Sequence, residues 1–339
     1  MKVDTTSKKW HIRSLVILMI APVLIIGACA PTSVAVPTVT PEPEVPTEEV
    51  VEATATEEPA GPEPIVVADG LGREVILEEP AQRIVSMAPS NTEILFAIGA
   101  GSQVIGRDEI SDYPEEALSI TSIGSTYTAL NTEAILALEP DLVLAATITT
   151  PEQVQTLEAL EVPLYLLPNP MTFDELFDNL LAVGELTGRQ EDAQQLVDEL
   201  SARVDAVLEK TANADDVAAF YEVDGTDPTA PWTTGSGTFQ DVLIEMAGGE
   251  NVAADIAGWG QMSLEELVTR DPEVIIFGQG PWIPTTVESL SERAGWGDIN
   301  AVQEGRVYGI DTNWVDRPGP RLVLALEHMA EAIHPELFE

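Results

Sequence analysis

The sequence predicts an α/β protein of two lobes joined by a single long helix. Three observations carry that expectation. Short apolar runs alternate with capped helical segments from about residue 65 onward, one 22-residue stretch has neither glycine nor proline, and the alternation then resumes. Runs such as "DLVLAA" (141–146) and "EVIIFG" (273–278) are near-continuously apolar, which argues for mostly parallel sheets covered on both faces.

Taken in order, the chain opens with an export leader. Lys2, Lys8, Lys9 and Arg13 precede an uncharged apolar run, Leu15 to Ala28. That run is short for a membrane-spanning helix, which needs about 20 apolar residues. It ends in Ile26-Gly27-Ala28-Cys29, which resembles the bacterial lipobox, with the chain's only cysteine in place to carry diacylglycerol. An ordinary signal peptide or anchor helix that happens to hold a cysteine is the alternative. Residues 1–28 are therefore expected to be a lipoprotein signal peptide. Residues 29–64 follow as a disordered tether, since Ala30 to Pro64 carries eight prolines and eight glutamates with no Lys, Arg or aromatic residue.

The folded part begins with "IVVADGLGREVIL" (65–77), two β-rich runs around a glycine turn. "RIVSM" reads as a strand. Ser90 and Glu93 then form a capping box for a helix that stops at Gly99. "QVIGR" is a strand, "NTEAILALEP" a short helix, "DLVLAA" a strand, "PEQVQTLEAL" a helix and "PLYLL" a strand. Thr172 and Glu175 cap a helix to about Thr187, where Gly188 interrupts, so 65–187 forms an N-terminal lobe. "RQEDAQQLVDELSARVDAVLEK" places Leu196, Leu200, Val204, Val207 and Leu208 at helical spacing. At 1.5 Å per residue those 22 residues make a helix about 33 Å long, the length of a strut, and the interlobe helix is expected within 188–212. Residues 213–339 form the C-terminal lobe: "DVAAFYEVD", "EVIIFG" and "RVYGI" as strands, "GSGTFQDVLIEMAGG" as a glycine loop and helix, "SLEELVTR" and "TTVESLSERAG" as helices, and a terminal helix from "PGPRLVLALEHMAEAIHP".

Composition excludes several classes. The chain carries 15 Lys and Arg against 58 Asp and Glu, a net charge of −43. Nucleic acid, which requires a basic patch, is not an expected partner. No G-x-S-x-G, Walker A or H-E-x-x-H motif occurs, and nothing joins a nucleophile to a base, so no catalytic residues are expected. His328 and His334 are read as helix surface or C-cap, and no protein metal site is expected. Five of the six tryptophans lie beyond the strut. Trp232, Trp259 and Trp282 are flanked by Gly, Pro and small residues, which reads as loops at the strand edge where binding crevices form. Tyr127, Trp232, Trp259 and Trp314 are candidates to face one cleft, with loop packing as the alternative.

"RIVSMAPSNTEILFAIGAG", "SDYPEEA", "LNTEAILALEPDLVLA", "GSGTFQDVLIEMAGGENVA", "MSLEELVTRDPEVIIFG" and "RPGPRLVLALEHMAEAIHPELF" appear in this order. Together they resemble the substrate-binding lipoproteins of cobalamin and iron–siderophore ABC importers, the group with a rigid interlobe helix. The resemblance spans about residues 65–339. It implies two Rossmann-like α/β lobes with a ligand cleft between them, and capture of a metal chelate for delivery to a membrane permease and its ATPase. It also implies that the protein is monomeric, membrane-anchored through lipid, and carries no resident cofactor. By matching position, Glu133 and Glu265, one in the first turn of a short helix in each lobe, dock on permease arginines; partners of the helix dipole is their alternative reading. Arg317 points at the cleft by the same matching, with Arg107 as a second candidate. Ala146 departs from the pattern, because some corrinoid binders carry an aromatic residue there. The folded part holds one lysine, Lys210, and ten arginines against 49 acids, so a trianionic tricatecholate would find few cations. A corrinoid is therefore expected, with a ferric siderophore or haem as the alternative in the same class. A ligand-sensing domain for a membrane receptor, or a periplasmic enzyme, is the alternative from another class.

Overall fold

The computed structural model describes residues 63–281 and 283–338. The leader, the tether up to residue 62, Cys29 and Trp282 lie outside the described residues. Strands β1 (Ile65–Ala68) and β2 (Glu74–Leu77) form the opening antiparallel hairpin. Then β3 (Ile84–Ser86), α1 (Pro89–Ala97), β4 (Val104–Arg107), α2 (Thr132–Ala137), β5 (Leu142–Ala146), α3 (Pro151–Glu158) and β6 (Leu164–Leu167) build the first lobe. Its sheet has the order β4-β3-β5-β6 and is parallel throughout.

Helices α4 (Phe173–Thr187) and α5 (Gln190–Thr211) follow, separated by Gly188 in the left-handed conformation at φ 71°. Two glycines fix this corner. Gly188 supplies the turn, and Gly184 lets the helices close on each other, since a Cβ there would lie 2.5 Å from that of Ala193. The strut is the 22-residue α5, and its buried face is Ala193, Leu200, Val204, Val207 and Thr211.

The second lobe is larger and mixed. It comprises β7 (Val217–Asp224), β8 (Trp232–Thr234), α6 (Phe239–Met246), β9 (Gly249–Asn251), β10 (Trp259–Gln261), α7 (Leu264–Arg270), β11 (Val274–Gln279), α8 (Val287–Ser291), α9 (Asn300–Gln303), β12 (Val307–Asp311), α10 (Thr312–Val315) and α11 (Leu322–Ile333). The sheet runs β10-β8-β7-β11-β12, with β9 beside the first half of β7. Strands β7, β9, β11 and β12 are mutually parallel, while β8 runs antiparallel to both of its neighbours, β7 and β10.

One continuous apolar core passes from the first lobe through α5 into the second. Phe173 of α4 meets Phe239 of α6 edge-to-face at 5.6 Å, so the lobes share aromatic packing behind the cleft. Three local readings change. Ser90 is not the N-cap of α1: Ala88 is, Pro89 occupies the first turn, and no capping box forms. Thr172 does cap α4, but Glu175 accepts from the Met171 N–H, so it does not close a box with Thr172. Trp232 and Trp259 lie on β8 and β10, not on loops.

Candidate functional site

A cavity of about 400 Å³ lies between the lobes. The first lobe supplies the start of α1 (Ala88 to Asn91), Ile110, Tyr127, the end of β5 with Ala146, and the end of β6 with Asn169. The second lobe supplies Thr312, Asn313, Asp316, Arg317 and Pro318. The cavity therefore sits beyond the C-terminal ends of β5, β6 and β12, where open α/β sheets place their ligands.

Each wall is held by identifiable bonds. Tyr127 is 64 % exposed and rises from a loop clamped on both sides: the Gln153 amide of α3 donates to the Thr126 and Thr128 carbonyls, each at 3.0 Å. Burial pushes the Tyr127 phenol up, and the charge of Asp108 adds to the shift, so the group stays a neutral phenol. The start of α1 is pinned by Asn91, whose amide donates to the carbonyls of Leu144 and Ala145 at 3.0 Å. Those two acceptors fix which end of the amide is nitrogen. The loop with Ile110 is held by a buried polar chain, in which Thr92 contacts Ser86 at 2.8 Å and Ser111 at 2.9 Å, and Ser111 donates to Asp108.

Charge at the cavity is set by one cluster that crosses the lobes. Glu93 of α1 has only 2 % of its side chain exposed. It accepts from Arg321 Nε at 2.9 Å and Nη2 at 2.5 Å, and from Arg317 Nη1 at 3.5 Å. Arg317 also donates to Asp112 at 2.6 Å, and the Arg321 guanidinium lies 3.9 Å from the Tyr113 ring centroid. Burial raises the Glu93 carboxyl above its ordinary range, against the pull of both arginines. Asp316 opens onto the water of the cleft, with protein crowding its other sides. That crowding raises its carboxyl to about 6, against a Gln240 contact at 3.4 Å and the nearby charge of Arg317.

The structure brings Tyr127 and Arg317 together on the cavity wall. Trp314 is not on that wall, which corrects the expectation for it. On the short α10, Thr312, Asn313 and Asp316 share the cavity face, and the 100° step per residue turns Trp314 and Val315 to the body. Trp314 packs edge-to-face on His328 at 6.1 Å. Trp232 and Trp259 are 44 % and 56 % exposed and also stand outside the 400 Å³ cavity. Trp232 pairs with Asp224, the last residue of β7, so it lies in the edge row that contains Gln279 and Asp311, next to Thr312. With strands about 4.8 Å apart, β8 is roughly 14 Å along the rim from β12. Trp259 pairs with Thr234 and is set back by two residues from that row. Arg107 is not a cleft cation: it is buried and donates to the carbonyls of Ala117, Asp108 and Glu109.

Glu133 and Glu265 are both exposed, in the first turns of α2 and α7. Each helix leads into a strand with neighbours on both sides, β5 in one lobe and β11 in the other, so the two acids occupy equivalent places. Neither forms an ion pair among the described residues. Sequence reasoning missed Glu93, Asp112 and Arg321. The repeated arginine in "RPGPR" was the available signal for Arg321, whereas Glu93 was hidden by its apparent capping role.

Residues 84–313 match the family described as periplasmic binding protein. An uncharacterized ABC transporter substrate-binding lipoprotein, YvrC of Bacillus subtilis (strain 168), is 31 % identical over 282 residues, covering 81 % of this chain and 87 % of the relative. A vitamin B12-binding protein of Vibrio campbellii is 30 % identical over 259 residues, covering 74 % of this chain and 89 % of the relative. Among solved structures, the apo form of the periplasmic heme-binding protein RhuT from Roseiflexus sp. RS-1 superposes with a TM-score of 0.67 at 28 % identity, covering 76 % of this chain and 99 % of that one. Two α/β lobes, a continuous core through the strut and a cleft beyond the strand ends agree with these matches, and the chain belongs to the periplasmic binding protein family.

Proposed function

We propose that this protein is the solute-binding component of an ABC importer and that its ligand is a large, nearly uncharged metal chelate. A corrinoid is preferred to a ferric siderophore or haem. The chelate is captured between the lobes and delivered to the permease and its ATPase. The protein works outside the cell membrane, tethered by lipid on Cys29. Among the described residues no helix is long and apolar enough to cross a membrane.

The observation that carries the ligand class is the state of Arg317. It is the one cation on the described cavity wall, and Glu93 and Asp112 already engage it. A trianion entering this cleft would lose its hydration with no free cation in return and would face Asp316 as well. A macrocycle with neutral amide edges meets Asn91, Asn169, Asn313 and the Tyr127 ring without that cost. Haem is less well served, since no histidine lines the described wall. An enzymatic role has no support in the wall, where no hydroxyl is bonded to a base. Trp232, at the edge of the same sheet, would extend the platform under a ligand wider than the cavity, and Trp259 would follow behind it.

Isothermal titration with cyanocobalamin, dicyanocobinamide, a ferric hydroxamate, a ferric tricatecholate and haemin tests this reading. A corrinoid should bind most tightly. Tighter binding of the tricatecholate than of either corrinoid would overturn the ligand class and leave the importer role standing.

A further inference from the structure

We infer that the start of α1, with the Ser90 hydroxyl, is the seat for an oxygen acceptor of the ligand that carries at most one negative charge. The inference deepens the proposed function and rests on the same cleft. Its starting point is the missing cap. A helix leaves its first N–H groups without intrahelical partners, and a Ser, Thr, Asp or Asn side chain normally satisfies one of them. Here the N-cap is Ala88, which has no side-chain acceptor, and Pro89 has no N–H to offer. The Ser90 and Asn91 N–H groups have no partner among the described residues, and the first bond of the helix runs from the Thr92 N–H to the Ala88 carbonyl.

The second observation is independent of the helix end. Ser90 is only 5 % exposed, it lies on the cavity wall, and its hydroxyl has no hydrogen-bond partner among the described residues. The hydroxyl and the two N–H groups open onto the cavity without a protein partner among the described residues, so together they present three donors to whatever enters the corner. The Asn91 amide, bonded to the Leu144 and Ala145 carbonyls, holds this helix end rigidly against β5. The corner is thus preorganised rather than adaptable.

The charge limit follows from the surroundings. Two N–H groups, one O–H and the positive end of a nine-residue helix favour an oxygen lone pair or a single negative charge. Arg317 is committed to Glu93 and Asp112, and Asp316 on the opposite wall repels a second charge. Two groups of a corrinoid fit: the phosphodiester of a nucleotide loop, or a carbonyl of the ring's amide side chains.

The test uses Ser90→Ala and Ser90→Thr in the full chain, titrated with cyanocobalamin, with dicyanocobinamide, which lacks the nucleotide loop, and with a neutral ferric hydroxamate. Ser90→Ala should weaken the chelate that the unmodified protein binds by about tenfold. Ser90→Thr, which keeps the hydroxyl, should restore most of that loss, and the Tm of both variants should stay within about 2 °C, because Ser90 caps nothing. A loss confined to cyanocobalamin assigns the corner to the phosphodiester, and an equal loss for both corrinoids assigns it to a ring amide carbonyl. Binding and a Ser90→Ala loss seen only with the hydroxamate would keep the corner and remove the corrinoid reading. Unchanged affinity of Ser90→Ala for every chelate that binds would overturn the inference, as would a fall in Tm that accounts for the weakened binding.

Discussion

The two lobes enclose one cleft but contribute opposite kinds of wall. The first lobe has a purely parallel sheet, and at the cavity it offers a helix end, amides and an aromatic ring. Its acids, Glu93 and Asp112, serve to engage the arginines of the other lobe. The second lobe has a mixed sheet, widened by the short antiparallel β8 and β10, and it brings the charged pair Asp316–Arg317 and the exposed tryptophans. The first lobe thus supplies most of the hydrogen-bonding groups at the cavity, and the second supplies its charged side chains and the exposed tryptophans. The cluster of Glu93, Asp112, Arg317 and Arg321 joins the two at the mouth, while α5 and the Phe173–Phe239 contact join them behind.

That division can be broken most sharply at Glu93. Glu93→Ala leaves Arg321 and Arg317, nearly buried, without their shared carboxylate. The variant should lose about 3 kcal/mol of stability, read by denaturant unfolding, because removing one partner strands a buried charge. Glu93→Gln should lose less, since its amide oxygen keeps an acceptor for the arginines. A loss below about 1 kcal/mol for Glu93→Ala would mean that the strut alone holds the lobes.

Next in size is the aromatic rim. Trp232→Ala should leave stability nearly unchanged, because the ring is 44 % exposed, yet weaken ligand binding by about tenfold if the chelate extends along the sheet edge. Trp259→Ala should have a smaller effect, as its ring is set back from the edge row. Equal affinities for the unmodified protein and Trp232→Ala would confine the ligand to the cavity proper.

A smaller effect is expected from pH. Asp316 already has its carboxyl raised to about 6, and a neutral ligand that expels water from the cleft raises it further. The bound form then holds the proton more tightly, so affinity is greatest below about pH 5 and falls a few-fold as pH rises through 6 to 7. Titration in buffers of different ionisation enthalpy should show proton uptake near pH 6, and Asp316→Asn should abolish it. Proton release, or a pH dependence that survives the substitution, would contradict this assignment. The sign for folding is the same: a raised carboxyl in the native state stabilises below the unfolded value near 4, and that contribution is lost as pH rises through about 6.

The parts visible in the sequence were those with local causes. Parallel strands in the first lobe are apolar runs bounded by turn residues, and the strut declares itself by 22 residues of uninterrupted helical spacing. Strands β8 and β10 are three residues each, too short for an alternating pattern, so the glycines and proline around Trp232 and Trp259 suggested loops. The Ser90–Glu93 spacing imitated a capping box, but Glu93 answers to Arg321, 228 positions away. No local pattern can reveal such a pair, and Ser90 lies inside the helix, behind Pro89, where it cannot act as the cap.

The smallest effect in the isolated protein belongs to the acids on the outer surface. Glu133→Ala with Glu265→Ala should change stability by less than about 0.5 kcal/mol and ligand affinity by less than twofold, as both are solvent-exposed. Uptake by cells carrying the double variant should nevertheless fall. Unchanged uptake would leave both residues as partners of their helix dipoles alone.

The most direct test of the central claim, a neutral metal chelate held between the lobes, is native mass spectrometry of the full chain purified from its own host. The account expects one retained molecule per protein with the mass and cobalt content of a corrinoid. A retained ferric tricatecholate, or a compound without metal, would contradict it.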